Sequence, residues 1–553
     1  MLRVNRCFVG LIVLGLSFNL DTAHAESPEL HTDDFNVPVV TDPVHDFSLD
    51  WTQLEHFYDS REGTFVWHDD RVLNRQGRRL FEWLSHADRE GLSSNDYHVT
   101  HLKHLVDANL PDHLLLRELL LTDGYLRLAR DLRNGHHDPK TIDPLWLLPN
   151  DLFDPLGALS LALRENHLDE LLDNLSPQND GYQKLKEALA DYRDIWMEGG
   201  WATLEMGQTL RPGEVHEGVV GLRERLAYES DVPVEGIENP LLFDAVLVDT
   251  VKRFQRRFGL DEDGVVGPET LRALNVPVET RIAQILTNLE RWRWLPHELE
   301  PQHIWVNTAG FDITLKAEEQ VIFRKRTVNG REERQTPSFN SQVTHLVVNP
   351  TWTVPRSIAI KDLLPQQQRD DEFLQRKRIR VYRRNGKAWD EVDPLGIDWS
   401  LYHANNFPFL LRQDSGAGNS LGRVKFYMPN SHAIYLHDTP SVGLFERPVR
   451  AFSSGCVRVE HADELARLLL QESGVPQEDR FNQALDSGET MISPLSEPIP
   501  VYLTYFTSWV DGAGDVHFRP DIYQRNTNLM LAMDVGIGHV TAQRESAQEI
   551  SSL

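Results

Sequence analysis

Cysteine is nearly absent from this chain: 553 residues hold two, Cys7 and Cys456. With Cys7 inside an N-terminal stretch patterned like a removable export signal, the mature protein keeps one thiol and no internal disulfide. A lone thiol in an oxidising compartment is a liability unless the sulfur has a task. Basic excess is missing as well. Lys and Arg total 56 against 84 Asp and Glu, a formal charge of −28, which argues against a nucleic-acid partner, since such a binder shows a basic footprint. No long acidic block collects that charge, so it belongs to dispersed solvated faces. Long apolar runs are confined to the N-terminus, and no other stretch has the length to cross a bilayer. Metal-ligand spacing is lacking too. His136 and His137 are adjacent, a placement that seldom serves one ion, and no second cluster with zinc spacing exists. Asp261, Asp263 and Glu269 do not fit a twelve-residue calcium loop. No metal, nucleotide or organic cofactor is expected.

What is present divides into segments. Residues 1–25 carry basic Arg3 and Arg6, an apolar core from Phe8 to Phe18 and the small-residue site Ala23-His24-Ala25, the pattern of a signal peptide. Export to the periplasm is the expectation, with an uncleaved inner-membrane anchor as the alternative. Residues 26–46 read as a flexible lead-in and 47–212 as a helical domain, whose stripe of Leu114, Leu115, Leu119, Leu120, Leu121, Tyr125, Leu126 and Leu128 predicts core. In 213–278, Leu247, Val251, Phe254 and Phe258 fall on one helical face, and Gly259 to Gly267 predicts a turn before a further helix. Residues 279–299 read as a helical connector with Ile282, Ile285, Leu286, Leu289 and Trp292 on its apolar face.

From residue 300 to 510 the period changes to short β-rich runs, predicting a mixed β-rich domain. Residues 356–423 interrupt it as a charged insertion containing Trp389, Trp399 and the Gly-rich Asp414–Asn419. Insertions of that length in a compact domain are usually functional. Residues 511–553 form a C-terminal tail, of which 525–553 show no clear core pattern and are expected to be partly disordered. The fold class is α+β and multidomain.

The chemistry concentrates between Ala433 and Leu470. A cysteine nucleophile needs thiolate character, a base and donors for an oxyanion. His437 closes the strand-like run Ala433–Leu436, 19 positions before Cys456. Ser454-Gly455 brings the backbone into a turn ahead of the sulfur, and the amides of Gly455 and Cys456 are candidate oxyanion donors. Arg458 and Arg450 flank the thiol, placed to lower its pKa or to hold a substrate carboxylate.

Ile434-Tyr435-Leu436-His437-Asp438-Thr439 followed by Ser453-Ser454-Gly455-Cys456-Val457-Arg458 resembles the L,D-transpeptidase (YkuD-type) catalytic domain, found in enzymes that remodel bacterial peptidoglycan. The resemblance extends through Arg334-Gln335-Thr336-Pro337 and Asn349-Pro350-Thr351-Trp352-Thr353-Val354-Pro355, and is greatest to large, multidomain periplasmic members from Gram-negative bacteria. Asp438 departs from the glycine that most members carry after the histidine. Phe254-Gln255 with Asp263-Gly264-Val265-Val266-Gly267 is similar to the small three-helix peptidoglycan-binding domain, and 47–212 is similar to the scaffold domain of the large enzymes.

The resemblance implies that Cys456 attacks a donor tetrapeptide at the L-centre of meso-diaminopimelate, D-alanine leaves, and an acceptor stem's side-chain amine takes the acyl group in a 3→3 crosslink. His437 would pair with the thiolate, Tyr435, Trp352, Ser454 and Arg458 would shape the pocket, and 356–423 would cap it. Peptidoglycan stem peptides are the expected partners, alongside cell-wall synthesis proteins. Two alternatives stay open: a hydrolase using the same Cys/His site, and a non-catalytic peptidoglycan-binding scaffold.

Overall fold

The computed structural model describes residues 48–107, 113–150, 152–230, 232–318, 320–472 and 478–535. The signal and lead-in expected over 1–46 and the last part of the tail lie outside them. No helix among the described residues is long and apolar enough to span a membrane.

The helical domain is built on Leu114–Asn134. Its Leu119, Leu120, Leu121, Tyr125, Leu126 and Leu128 are buried, as the stripe predicted. Its other faces are buried as well, and Glu118 there is well partnered. Glu118 accepts from the amides of Val66 and Trp67 and sits 2.6 Å from His68 Nδ1, while Tyr58 donates to it. His136 and His137 form a turn, not a metal site: His136 pairs with Asp131 and the His137 amide donates to Glu290. Among the described residues no cluster of His, Cys, Asp and Glu is arranged for a metal ion.

Three helices, Gly218–Ala227, Ala245–Phe258 and Pro268–Leu274, make the small domain. The predicted face Leu247, Val251, Phe254 and Phe258 is buried. Gln255 explains why a glutamine accompanies the turn: its amide nitrogen donates to Asp263, the Val265 carbonyl and Thr270, and its oxygen accepts from the Gly264 amide. Gln255→Ala is expected to lower the stability of this domain by about 2–3 kcal/mol, because it strands buried donors and acceptors, read as a lower melting transition.

Val278–Arg293 is the spine of the molecule, a larger part than a connector plays. Its apolar face packs on the helical domain, where a Cβ on Gly91 would lie 2.7 Å from Leu286. Its polar face is also buried: Gln284 donates to the Thr507 and Arg519 carbonyls, Asn288 to Thr507, and Arg291 to Asn526. The partners lie in the C-terminal segment. There Ser508–Val510 pairs with Val516–Phe518, and Arg525–Ala532 is a helix with Leu529 buried.

The β-rich domain is a nine-stranded sheet, and an added pairing of Asp312–Ala317 with Gln320–Gly330 closes it on itself. At its centre, Val424–Tyr427 runs antiparallel to Leu436–His437, which runs parallel to Val457–Val459. The insertion is a separate four-stranded sheet that begins at Trp352–Thr353, with its own core of Val354, Leu364, Leu374, Val381, Trp399 and Phe409. Trp399 joins that core as expected; Trp389 is 45% exposed and does not. Asp414–Asn419 is ordered by side-chain bonds from Gln413 and Asn419 to backbone carbonyls.

Candidate active site

Strand register brings the site together. Tyr435 precedes Leu436, which pairs with Val457, and His437 pairs with Arg458; side chains alternate along strands, so Tyr435, His437, Cys456 and Arg458 share one face. Gly455 has φ +117, a conformation glycine adopts without strain, and it turns the chain to present Cys456. The turn is braced from several sides. Ser453 Oγ accepts from the Gly455 amide at 3.1 Å and donates to the Cys456 carbonyl at 2.5 Å. Thr336 Oγ1 donates to the Gly455 carbonyl at 2.8 Å and accepts from the Gly330 amide. Behind Thr336, Arg525 donates to its carbonyl and the Tyr523 hydroxyl holds the Gly330 carbonyl.

Cys456 is half-buried and free. Its thiol points to the Ala433 carbonyl, 3.8 Å away, and Tyr435 and Trp352 stand beside it on the same wall of the site, Tyr435 acting on the sulfur through its amide and hydroxyl and Trp352 acting on that hydroxyl. Burial pushes the Cys456 thiol up, against the pull of the Tyr435 amide, Lys425, Arg458 and the Tyr435 hydroxyl.

His437 is buried, with its ring 5.9 Å from that of Tyr435. Its Nδ1 lies 2.5 Å from the Asp438 carbonyl. A carbonyl only accepts, so Nδ1 carries the proton in the neutral ring and Nε2 keeps its lone pair. Burial, then the charges of Arg458 and Lys425, hold the imidazole down to about 3. The resting pair is thus a neutral thiol and a neutral imidazole, where the sequence suggested a thiolate ion pair. Asp438 is structural: its carboxylate accepts from the Arg423 amide at 2.8 Å, and Gly422 makes room, since a Cβ there would lie 2.3 Å from Oδ2.

Residues 301–479 match the family described as "L,D-transpeptidase catalytic domain". The chain carries an L,D-transpeptidase catalytic domain. Residues 52–189 match "Scaffold domain" and 217–274 "Putative peptidoglycan binding domain". A Haemophilus influenzae protein named "Putative L,D-transpeptidase" is 38% identical over 255 residues, 46% of this chain and 50% of that protein. The chain thus spans about half the length of the curated relative it matches. Among solved structures, an L,D-transpeptidase from Xylanimonas cellulosilytica is 14% identical, covers 54% of this chain and 98% of that one, and has a TM-score of 0.17. Another, from Stackebrandtia nassauensis, is 12% identical over 54% and 95%, with a TM-score of 0.22.

Within the transpeptidase domain the sequence candidates part company. Cys456, His437, Tyr435, Trp352 and Arg458 assemble, and Arg458 Nε is buried with no partner among the described residues. Arg450 goes elsewhere: it donates to the backbone carbonyls of Thr327, Arg447 and Phe311, tying a loop to the barrel instead of meeting substrate. The Gly455 amide is occupied by Ser453 Oγ and is not a free oxyanion donor. Arg376 and Arg380 pair inside the insertion with Asp370, Asp414 and Glu391.

Ser454 is exposed and belongs to a latch. Its Oγ accepts from Arg334, which with Arg331 pairs with Asp362 of the insertion. Asp362→Ala should free both arginines, cost about 1 kcal/mol of docking and speed hydrogen exchange over 356–367. Unchanged exchange there would remove the latch from the account. Sequence reasoning missed Ser453, Tyr523, Arg525 and Lys425. Only Ser453 lay inside a motif; the other three reach the site through strand pairing or chain return that no local pattern encodes.

Proposed function

We propose that the protein is a periplasmic, cysteine-dependent L,D-transpeptidase that forms 3→3 crosslinks between peptidoglycan stem peptides. The observation that carries this reading is the parallel register of Leu436–His437 with Val457–Val459, which sets Cys456, Tyr435 and His437 on one sheet face. In the proposed reaction the Cys456 proton passes to His437 Nε2 as sulfur bonds to the carbonyl carbon at the L-centre of diaminopimelate. The bond to D-alanine breaks and the leaving amine takes that proton. An acceptor amine then attacks the thioester and gives up a proton to His437, the carbon–sulfur bond breaks, and the departing sulfur takes that proton to restore the thiol and the neutral imidazole. With the Gly455 amide occupied, the Cys456 amide and the Tyr435 hydroxyl are the donors this reading assigns to the oxyanion, a role in which one donor is worth about 3–4 kcal/mol. Arg458, with an unpaired buried Nε, is assigned a stem carboxylate. Export rests on the signal pattern of 1–25.

Mass spectrometry of muropeptides after incubation with the purified protein tests the reading. Crosslinked dimers that have lost one D-alanine support it; shortened monomers alone indicate a hydrolase, and unchanged substrate indicates a binding scaffold.

A further inference from the structure

Lys425 is the one residue of the reacting face that neither motif contains. It lies on Val424–Tyr427, directly opposite His437 in the antiparallel register, so its side chain rises on the same face as His437, Tyr435 and Cys456. Its ammonium sits 3.8 Å from the centre of the Tyr435 ring, and 5.7 Å from that of Tyr427. A cation this close to a ring face is held by the ring's quadrupole, and more strongly where water is thinned. No carboxylate pairs with it among the described residues, and burial lowers its own affinity for a proton while an anionic Cys456 raises it. An unpaired, half-buried cation is costly to keep. Here its complement is a negative charge on the Cys456 sulfur.

We propose that Lys425 is an electrostatic positioning residue, a fixed cation seated on the Tyr435 ring that stabilises negative charge on the Cys456 sulfur. The need for it follows from the turn: the Gly455 amide is spent on Ser453 Oγ, so backbone donors alone do not surround the sulfur. Lys425 also fixes the Tyr435 ring, which stands beside Cys456 on the same face. The groups facing this pair are Tyr427 on its own strand, His345 stacked on Tyr427 at 4.5 Å from the neighbouring strand, Tyr435 and His437 opposite, and Arg458 beyond them. Of these only Arg458 shares its permanent charge, and it flanks the sulfur from the strand on the other side.

The inference rests on Cys456 as the reactive group of the proposed function, and its test needs no stem peptide. Iodoacetamide alkylation of Cys456 is followed against pH for the full-length protein, Lys425→Met and Lys425→Arg, with the melting temperature of each. Lys425→Met is expected to raise the alkylation midpoint by about one pH unit, since it removes an opposite charge that favours the thiolate and such a charge nearby shifts a pKa by about a unit or more; near neutrality this is about tenfold slower alkylation. Lys425→Arg keeps the charge and should track the parent. If Lys425→Met melts early, Lys425→Gln supplies the same comparison in a polar, uncharged form. An unchanged midpoint in the uncharged variants overturns the proposal, as does an equal shift in Lys425→Arg, which would make the role one of packing. Failure of muropeptide crosslinking would leave this result standing, and the reverse holds.

Discussion

Cys456→Ala is expected to abolish turnover while leaving the fold intact. A nucleophile has no substitute within reach of the same carbonyl, so the loss should be on the order of 10⁴-fold or more, as when a covalent nucleophile is removed from other acyl-transfer sites. Stability should change by less than about 1 kcal/mol. The reason is local: the sulfur is half-buried, and the turn that presents it is held by Ser453 and Thr336. Dimer formation by chromatography, set beside a melting curve, measures both halves. Parental rates in Cys456→Ala would remove the mechanism.

The second large effect is at His437, and pH separates its role from a structural one. His437→Ala should lower turnover on the order of 10⁴-fold, because no other group on this face can take the thiol proton. In the parent, the imidazole is held down to about 3 by burial, Arg458 and Lys425, and the thiol is raised by burial. Both partners are therefore neutral between about pH 5 and pH 8, and kcat/KM, which reports the free enzyme, should show no ionisation near the ordinary histidine value in that window. An inflection near 6.5 that vanishes in His437→Gln would contradict this. The same depression affects stability with a definite sign. The unfolded histidine binds a proton below its ordinary value of 6.5 while the folded one does not until about 3, so the stability it contributes is complete above 6.5 and is lost as pH falls toward 3.

How far the sequence carried depends on where each signal lives. The nucleophile and its histidine were legible because turn glycine, cysteine and strand end sit within one short stretch. The core faces of Leu114–Asn134 and Ala245–Phe258 were legible because burial follows helical period. Proximity in sequence misled for Arg450, six residues from Cys456 yet bonded to three carbonyls. Composition was silent on how the C-terminal segment docks, because Tyr523, Arg525 and Asn526 do so by bonding polar groups. The helix Val278–Arg293 looked like a connector for a related reason: half of its buried surface is polar and matched to Thr507 and Asn526. Lys425 was invisible because its meaning is the register that sets it opposite His437.

The central claim is that Cys456 carries the acyl group. Intact-protein mass spectrometry after mixing with a donor tetrapeptide or a carbapenem, whose strained ring offers a carbonyl to the same sulfur, tests it most directly. The account predicts one stoichiometric adduct that maps to Cys456 and is absent from Cys456→Ala. An adduct that persists in Cys456→Ala, or crosslinked product with no covalent species at any time point, would contradict it.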